Sequence, residues 1–336
     1  MSERSDIIPI FVLGGARNGT TWLGNVLGLH PEIATVQHEL HHGSHESNIF
    51  RQERYYGDLT DPDAYIRFVE LYGTEDYFTL AGGSRQRLYE QRFATFYHAF
   101  FDLMDRYARA EGKVYWSTKL DPLFTIDPAG YATLLGILRE RYKNVKWVGI
   151  QREVVQCMNS YVFMEGSRKE SRGRAINRLP VLALGTARYA AQYDFLKAVA
   201  RDENAFWMEF DELKNQRAAT SQRLDQYLGL SDSLSIDVAP KYKKNTSFKG
   251  DTARQTLSGT EKKTVLWLSW VFDRVPALAR MTYRFYENRI KGIQDPTYRK
   301  LLKYRYFPED FTEELSTVGA SDIIEILQNS RDTPRT

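Results

Sequence analysis

The chain reads as an α/β protein with three layers: a mainly parallel central sheet and helices on both of its faces. Three observations point there. Short apolar runs at residues 7–13, 113–117, 145–150 and 205–210 alternate with segments whose apolar residues recur at helical spacing. The interval between runs suits a strand, a crossover helix and a parallel strand. The first run stops at Gly14-Gly15, and a helical pattern restarts directly after Gly19-Thr20-Thr21.

Composition bounds the rest. With 336 residues, 42% of them apolar, the chain can bury a sizeable core. One domain over residues 1–328 is expected, with an insertion at 40–84 and a disordered tail at 329–336. No internal repeat and no apolar run long enough to cross a bilayer is present, and the opening Met-Ser-Glu-Arg-Ser-Asp has no signal-peptide pattern. A cytoplasmic protein is therefore expected. The single cysteine, Cys157, excludes an internal disulfide and fits a reducing compartment. A net charge of +3 is too slight to argue for nucleic acid, although cations gathered in one cleft would still attract a polyanionic nucleotide.

Taken in order, the run 7–13 forms the first strand and Trp22 onward the first helix, stopped at His30-Pro31. A short strand follows at 33–37. Residues 44–84 are polar, tyrosine-rich and broken by glycines and Pro62; they read as an insertion over the site with a helix at 62–72, outside the sheet. One long helix is expected from Arg85 to Ala110, and helices at 128–142, 153–164, 181–200, 211–228 and 260–290. Residues 165–178 and 239–256 read as exposed basic loops, either solvated charge runs or lids that close on a ligand.

The turn after the first strand is where chemistry enters. A glycine turn feeding a helix N-terminus offers a row of backbone N–H groups to an anion. Gly14 and Gly19 have the spacing of the phosphate loop of kinases and ATPases, but Thr20 stands where the loop lysine belongs and the cation has moved inside as Arg17. Arg17-Asn18-Gly19-Thr20-Thr21 after a buried strand resembles the phosphosulfate loop of the sulfotransferases, which take 3'-phosphoadenosine 5'-phosphosulfate (PAPS) as donor and release 3'-phosphoadenosine 5'-phosphate (PAP). A second match lies at Arg152, which ends an apolar strand, with Ser160 eight positions on in the following helix. In that family such a pair holds the donor's 3'-phosphate, and arginine supplies a fork of charged donors suited to it.

The resemblance runs from about residue 8 to 260 and implies a P-loop-like nucleotide-binding fold. It also implies that Asn18, Gly19, Thr20 and Thr21 cradle the 5'-phosphate, that Trp22 and Phe210 lie on either side of the adenine, and that Lys249-Gly250 reaches the 3'-phosphate. Lys249 reads equally as a surface lysine. Arg17 and Lys119, the latter in Thr118-Lys119-Leu120-Asp121-Pro122, would clamp the leaving group. Arginine in the loop and a glutamate soon after His30-Pro31 look closer to tyrosylprotein and bacterial sulfotransferases than to cytosolic ones. Glu39 is the first choice for the general base and His38 the second, with Asp121 a third candidate.

The acceptor, a small molecule or a glycan bearing a hydroxyl or amine, is left open. No metal is required, because arginine and lysine supply the positive charge. Three rivals stand beside this reading. One is a nucleotide-dependent kinase using the same loop. Another is a zinc hydrolase using His38-Glu39-Leu40-His41-His42, a string that needs a helix to bring its histidines together and here follows a β-like run. The third is a nucleotide-binding module without a base.

Overall fold

The structure is a computed structural model describing residues 4–15, 17–38, 43–44, 46–47, 49, 53, 56–120, 128–170, 178–202, 205–231, 234 and 257–285. Its centre is a parallel sheet of β1 (Ile8–Leu13), β2 (Ile33–Thr35), β5 (Glu46–Ser47), β6 (Tyr115–Leu120), β7 (Lys146–Gln151) and β8 (Phe206–Glu209). The strand order is β2-β6-β1-β7-β8, with β5 joined to the far end of β6. β1 is central: Val12 lies opposite Lys119 on one side and opposite Val148 on the other. A small antiparallel pair, β3 (Gln37–His38) and β4 (Gly43–Ser44), stands outside this sheet.

Alternation along β1 sorts its side chains to two faces. Ile10 and Val12 join Leu23, Val26 and Leu27 of α1 (Thr20–Gly28), Leu213 of α9 (Phe210–Asn215), and Leu224 and Leu228 of α10 (Arg217–Leu228) in one apolar layer. Phe11 and Leu13 join a larger layer on the opposite face. It is built by α2 (Pro62–Tyr72), α5 (Phe96–Ala110), α6 (Pro128–Arg141) and α8 (Arg178–Asp202). Phe11 stacks on Trp147 with centroids 4.7 Å apart and meets Trp116 edge-on at 5.4 Å. Asp105 of α5, only 1% exposed, ties this layer together. It accepts from Trp116 Nε1 at 3.0 Å, Tyr142 OH at 2.8 Å and Arg141 Nη2 at 2.8 Å, so its charge is buried but paired and fully hydrogen-bonded.

Several elements depart from the sequence reading. The helix expected from Arg85 to Ala110 is two, α4 (Arg85–Gln91) and α5. Arg92 takes a left-handed φ of 42°, and the Thr95 side chain accepts from the His98 N–H to begin α5 anew. Two short helices likewise replace each of the helices expected at 211–228 and 260–290. α9 and α10 divide at Gln216, while α11 (Gly259–Arg274) and α12 (Pro276–Phe285) divide at Val275.

The basic stretch from residue 165 is not a loop at its start, because α7 (Val154–Glu170) continues through it. At its other end Arg178 lies within α8 and pairs with Glu261 at 3.0 Å. The segment 44–84, expected to stand outside the sheet, contributes Glu46–Ser47 to it and a further helix, α3 (Asp76–Leu80). The basic loop at 239–256 and the tail at 329–336 lie outside the described residues.

Candidate functional site

The site begins with the backbone of the β1–α1 turn. Arg17 has φ 70° and Gly19 φ 103°, both left-handed, and the Asn18 N–H bonds the Gly15 carbonyl at 3.2 Å. Only glycine adopts the Gly19 geometry without strain, and a Cβ there would lie 2.9 Å from the Phe210 ring. Gly14 answers a different need, since a Cβ would stand 2.8 Å from the Ile150 carbonyl and 2.4 Å from Thr20. Among the described residues no side chain caps the N-terminus of α1, and its first turn carries no acidic residue. The opening amides of this helix and the positive end of its dipole are thus left for an anion.

Parallel strands bring the cations to that turn, because β1, β6 and β7 all end on the same edge of the sheet. Lys119, 7% exposed near the end of β6, donates from Nζ to Thr21 Oγ1 at 3.0 Å. Arg152 follows directly after β7. Its N–H donates to Asn18 Oδ1 at 3.1 Å and its carbonyl accepts from Tyr189 OH at 2.8 Å. Its guanidinium lies 4.8 Å from the Phe210 ring centroid, a cation–π contact. Its Nε donates to Gln156 Oε1 at 3.0 Å, and Gln156 Nε2 in turn donates to Asp211 Oδ2 at 3.2 Å.

Arg17 reaches across the same space, its Nε donating to Ser160 Oγ at 2.9 Å. The loop cation and the helix hydroxyl, placed by sequence at opposite ends of a nucleotide, therefore touch each other here. Beneath them Asn18, 3% exposed, also accepts from the Cys157 thiol at 2.8 Å. Burial pushes that thiol up to about 12, so Cys157 is a packed hydrogen-bonding group and not a thiolate.

The sequence-predicted residues Arg17, Asn18, Gly19, Thr20, Thr21, Lys119, Arg152 and Ser160 meet in this one place. Trp22 and Phe210 both pack at the edge of the apolar layer beneath the turn. Phe210 also carries Arg152 on its ring, so a base stacked there shares that ring with the guanidinium. Glu39, Asp121, Lys249 and Gly250 lie outside the described residues. His38 belongs to β3 and pairs with Gly43 of β4, while the rest of the His38-Glu39-Leu40-His41-His42 string lies outside the described residues. Gln156 and Tyr189 join the site without having been singled out by any motif, and Asp211 joins it beside Phe210. For Gln156 the legible signal is its place four residues after Arg152, one helical turn along the same face.

Sheet, turn and converging cations define an α/β protein built to receive an anion at a strand–turn–helix. Comparison with known proteins makes this specific. A sequence model described as "Sulfotransferase family" matches residues 9–233, and the chain belongs to that family. No curated protein matches it. Among solved structures, similarity is found to the sulfotransferase domain from the curacin biosynthetic pathway, at 17% identity and a TM-score of 0.45, covering 76% of this chain and 84% of that one. The sulfotransferase domain of the Synechococcus PCC 7002 olefin synthase matches at 14% identity and 0.40, covering 81% and 96% respectively. Sulfotransferase STF9 from Mycobacterium avium matches at 14% and 0.41, covering 82% and 77%.

Proposed function

We propose that this sulfotransferase takes its sulfuryl group from PAPS and delivers it to a hydroxyl or amine of a small-molecule or glycan acceptor. One observation carries the reading: the side chains of Arg17 and Lys119 gather at the N-terminus of α1, and the Arg152 guanidinium lies on Phe210, the ring against Gly19. The loop amides with Thr20 and Thr21 take the 5'-phosphate. Arg152 and Ser160 take the 3'-phosphate, together with Lys249-Gly250, and the adenine lies against Trp22 and Phe210.

Transfer is in line and loose. The acceptor oxygen or nitrogen attacks sulfur, the bond from sulfur to the bridging oxygen breaks, and PAP leaves carrying the electron pair. Negative charge grows on that bridging oxygen, so catalysis is chiefly positioning and charge neutralisation. Lys119 and Arg17 meet this charge, for which Arg17 exchanges Ser160 for the donor. The acceptor proton goes to Glu39, with His38 and Asp121 the alternatives. The single buried cysteine accords with a reducing, cytoplasmic setting, and residues 1–328 act as one domain.

Calorimetry with PAP and a PAPS-consumption screen over an acceptor library test the reading. Binding of PAP and acceptor-dependent release of PAP are expected. The Glu39→Ala variant is expected to bind PAP but not turn over. Absence of heat with either PAPS or PAP overturns the donor assignment.

A further inference from the structure

Arginine is a donor on every edge, so how it presents its two Nη groups to a phosphate depends on what holds Nε. For Arg152 that group is Gln156, one turn along α7, whose Oε1 accepts from Nε at 3.0 Å. The far end of the same amide donates from Nε2 to Asp211 Oδ2 at 3.2 Å. Chemistry sets this orientation: the guanidinium can only donate and the carboxylate can only accept, so the amide must turn its oxygen to one and its nitrogen to the other. Phe210, next to Asp211 in the chain, carries the guanidinium on its ring at 4.8 Å. Among the described residues, no side chain takes the Nη1–Nη2 edge of Arg152.

A glutamine here does what neither neighbouring choice would. A carboxylate in its place would fix Nε equally well but neutralise the guanidinium before a phosphate arrived. An apolar residue would leave Nε to seek Asp211 itself, pulling the fork from its aim. The neutral amide keeps a carboxylate one group away and passes on only its orienting effect.

We propose that Gln156 is a positioning and specificity-determining residue. It holds Arg152 with its fork exposed and its charge uncompensated, and so makes the protein select nucleotides that carry a 3'-phosphate. The inference rests on the assignment of Arg152 to that phosphate.

The test is calorimetric titration of PAP and of AMP, which lacks the 3'-phosphate, into the parental protein and five variants. In the parent, PAP is expected to bind at least about tenfold tighter than AMP, and Arg152→Ala to abolish the preference, as loss of a charge-assisted contact dictates. Gln156→Ala is expected to weaken PAP by about tenfold while AMP binds as before. AMP affinity thus reports that the fold and the 5' site are intact.

Gln156→Glu is expected to lose the preference too, by setting a second carboxylate beside Asp211 and cancelling the arginine's charge. Adding Asp211→Asn to Gln156→Glu recreates the pattern of hydrogen bonds with one carboxylate in total, and partial recovery of PAP affinity over Gln156→Glu is expected. Asp211→Asn alone is expected to keep the preference. If Arg152→Ala abolishes the preference but Gln156→Ala retains it, the role of Gln156 is refuted while that of Arg152 stands. If the parent binds PAP and AMP alike, both fall together.

Discussion

Gly19→Ala tests the geometry on which the site depends. Gly19 holds φ 103° as the N-cap of α1, and a Cβ built there meets Phe210 Cδ2 and Cε2 at 2.9 Å. Two costs follow. A left-handed backbone costs an L-residue about 1–2 kcal/mol. Moving the Phe210 ring away from the new methyl, against Arg152 on its face, adds the cost of overpacking, about 1–3 kcal/mol. The sum is a loss of about 2–5 kcal/mol. Gly112, just beyond α5, has φ 66° and nothing within 4 Å of where a methyl would stand, so Gly112→Ala carries the backbone cost alone. Urea unfolding of both variants, followed by circular dichroism, isolates the ring contact as the difference, about 1–3 kcal/mol. PAP affinity is expected to fall in Gly19→Ala only, because the displaced ring carries Arg152. Equal losses in the two variants would refute the packing of Phe210 against the turn, and no loss in Gly19→Ala would refute the left-handed turn itself.

Lys119→Ala removes a cation held against Thr21 and is expected to lower turnover by about 10²–10³-fold, with a much smaller change in PAP affinity, measured by steady-state kinetics alongside calorimetry. Glu53 accepts from the Tyr97 N–H at 3.1 Å at the start of α5, and burial pushes its carboxyl from 4.5 up to about 7. The folded protein then holds more protons than the unfolded chain between pH 4.5 and 7, so this group's contribution to stability declines as pH rises through that window and levels off above it. Glu53→Gln keeps the acceptor for Tyr97 and is expected to flatten that decline in urea midpoints measured from pH 5 to 8. Cys157, buried and with its thiol pushed up to about 12, is expected to resist a disulfide reagent at pH 8 in the native protein and to react with one equivalent in denaturant.

Much of this is legible along the chain. The period-2 and period-3.6 patterns that separate strand from helix arise between near neighbours, so they survive without the fold. The glycine turn at 14–19 and the eight-residue step from Arg152 to Ser160 are local for the same reason. Breaks inside helical patterns are harder to see. Phe93 and Phe96 continue the apolar rhythm across Arg92 and hide the restart at Thr95, while Pro276, suited to a first helical position, is a readable stop that the rhythm overrides. The helical pattern through Glu170 is obscured by Arg168 and Lys169, which signal exposure and not secondary structure.

By itself the sequence determined the class of fold and the glycine turn between the first strand and the first helix. It did so because each depends on residues within a turn or two of one another. Tertiary structure alone decided that Arg17 meets Ser160 across 143 positions, that Asn18 accepts from Arg152 and Cys157, and that Gln156 stands between Arg152 and Asp211. These contacts follow from the order β2-β6-β1-β7-β8, which places β7 beside β1. That order is set by how whole faces bury against one another, a quantity no local stretch of chain contains.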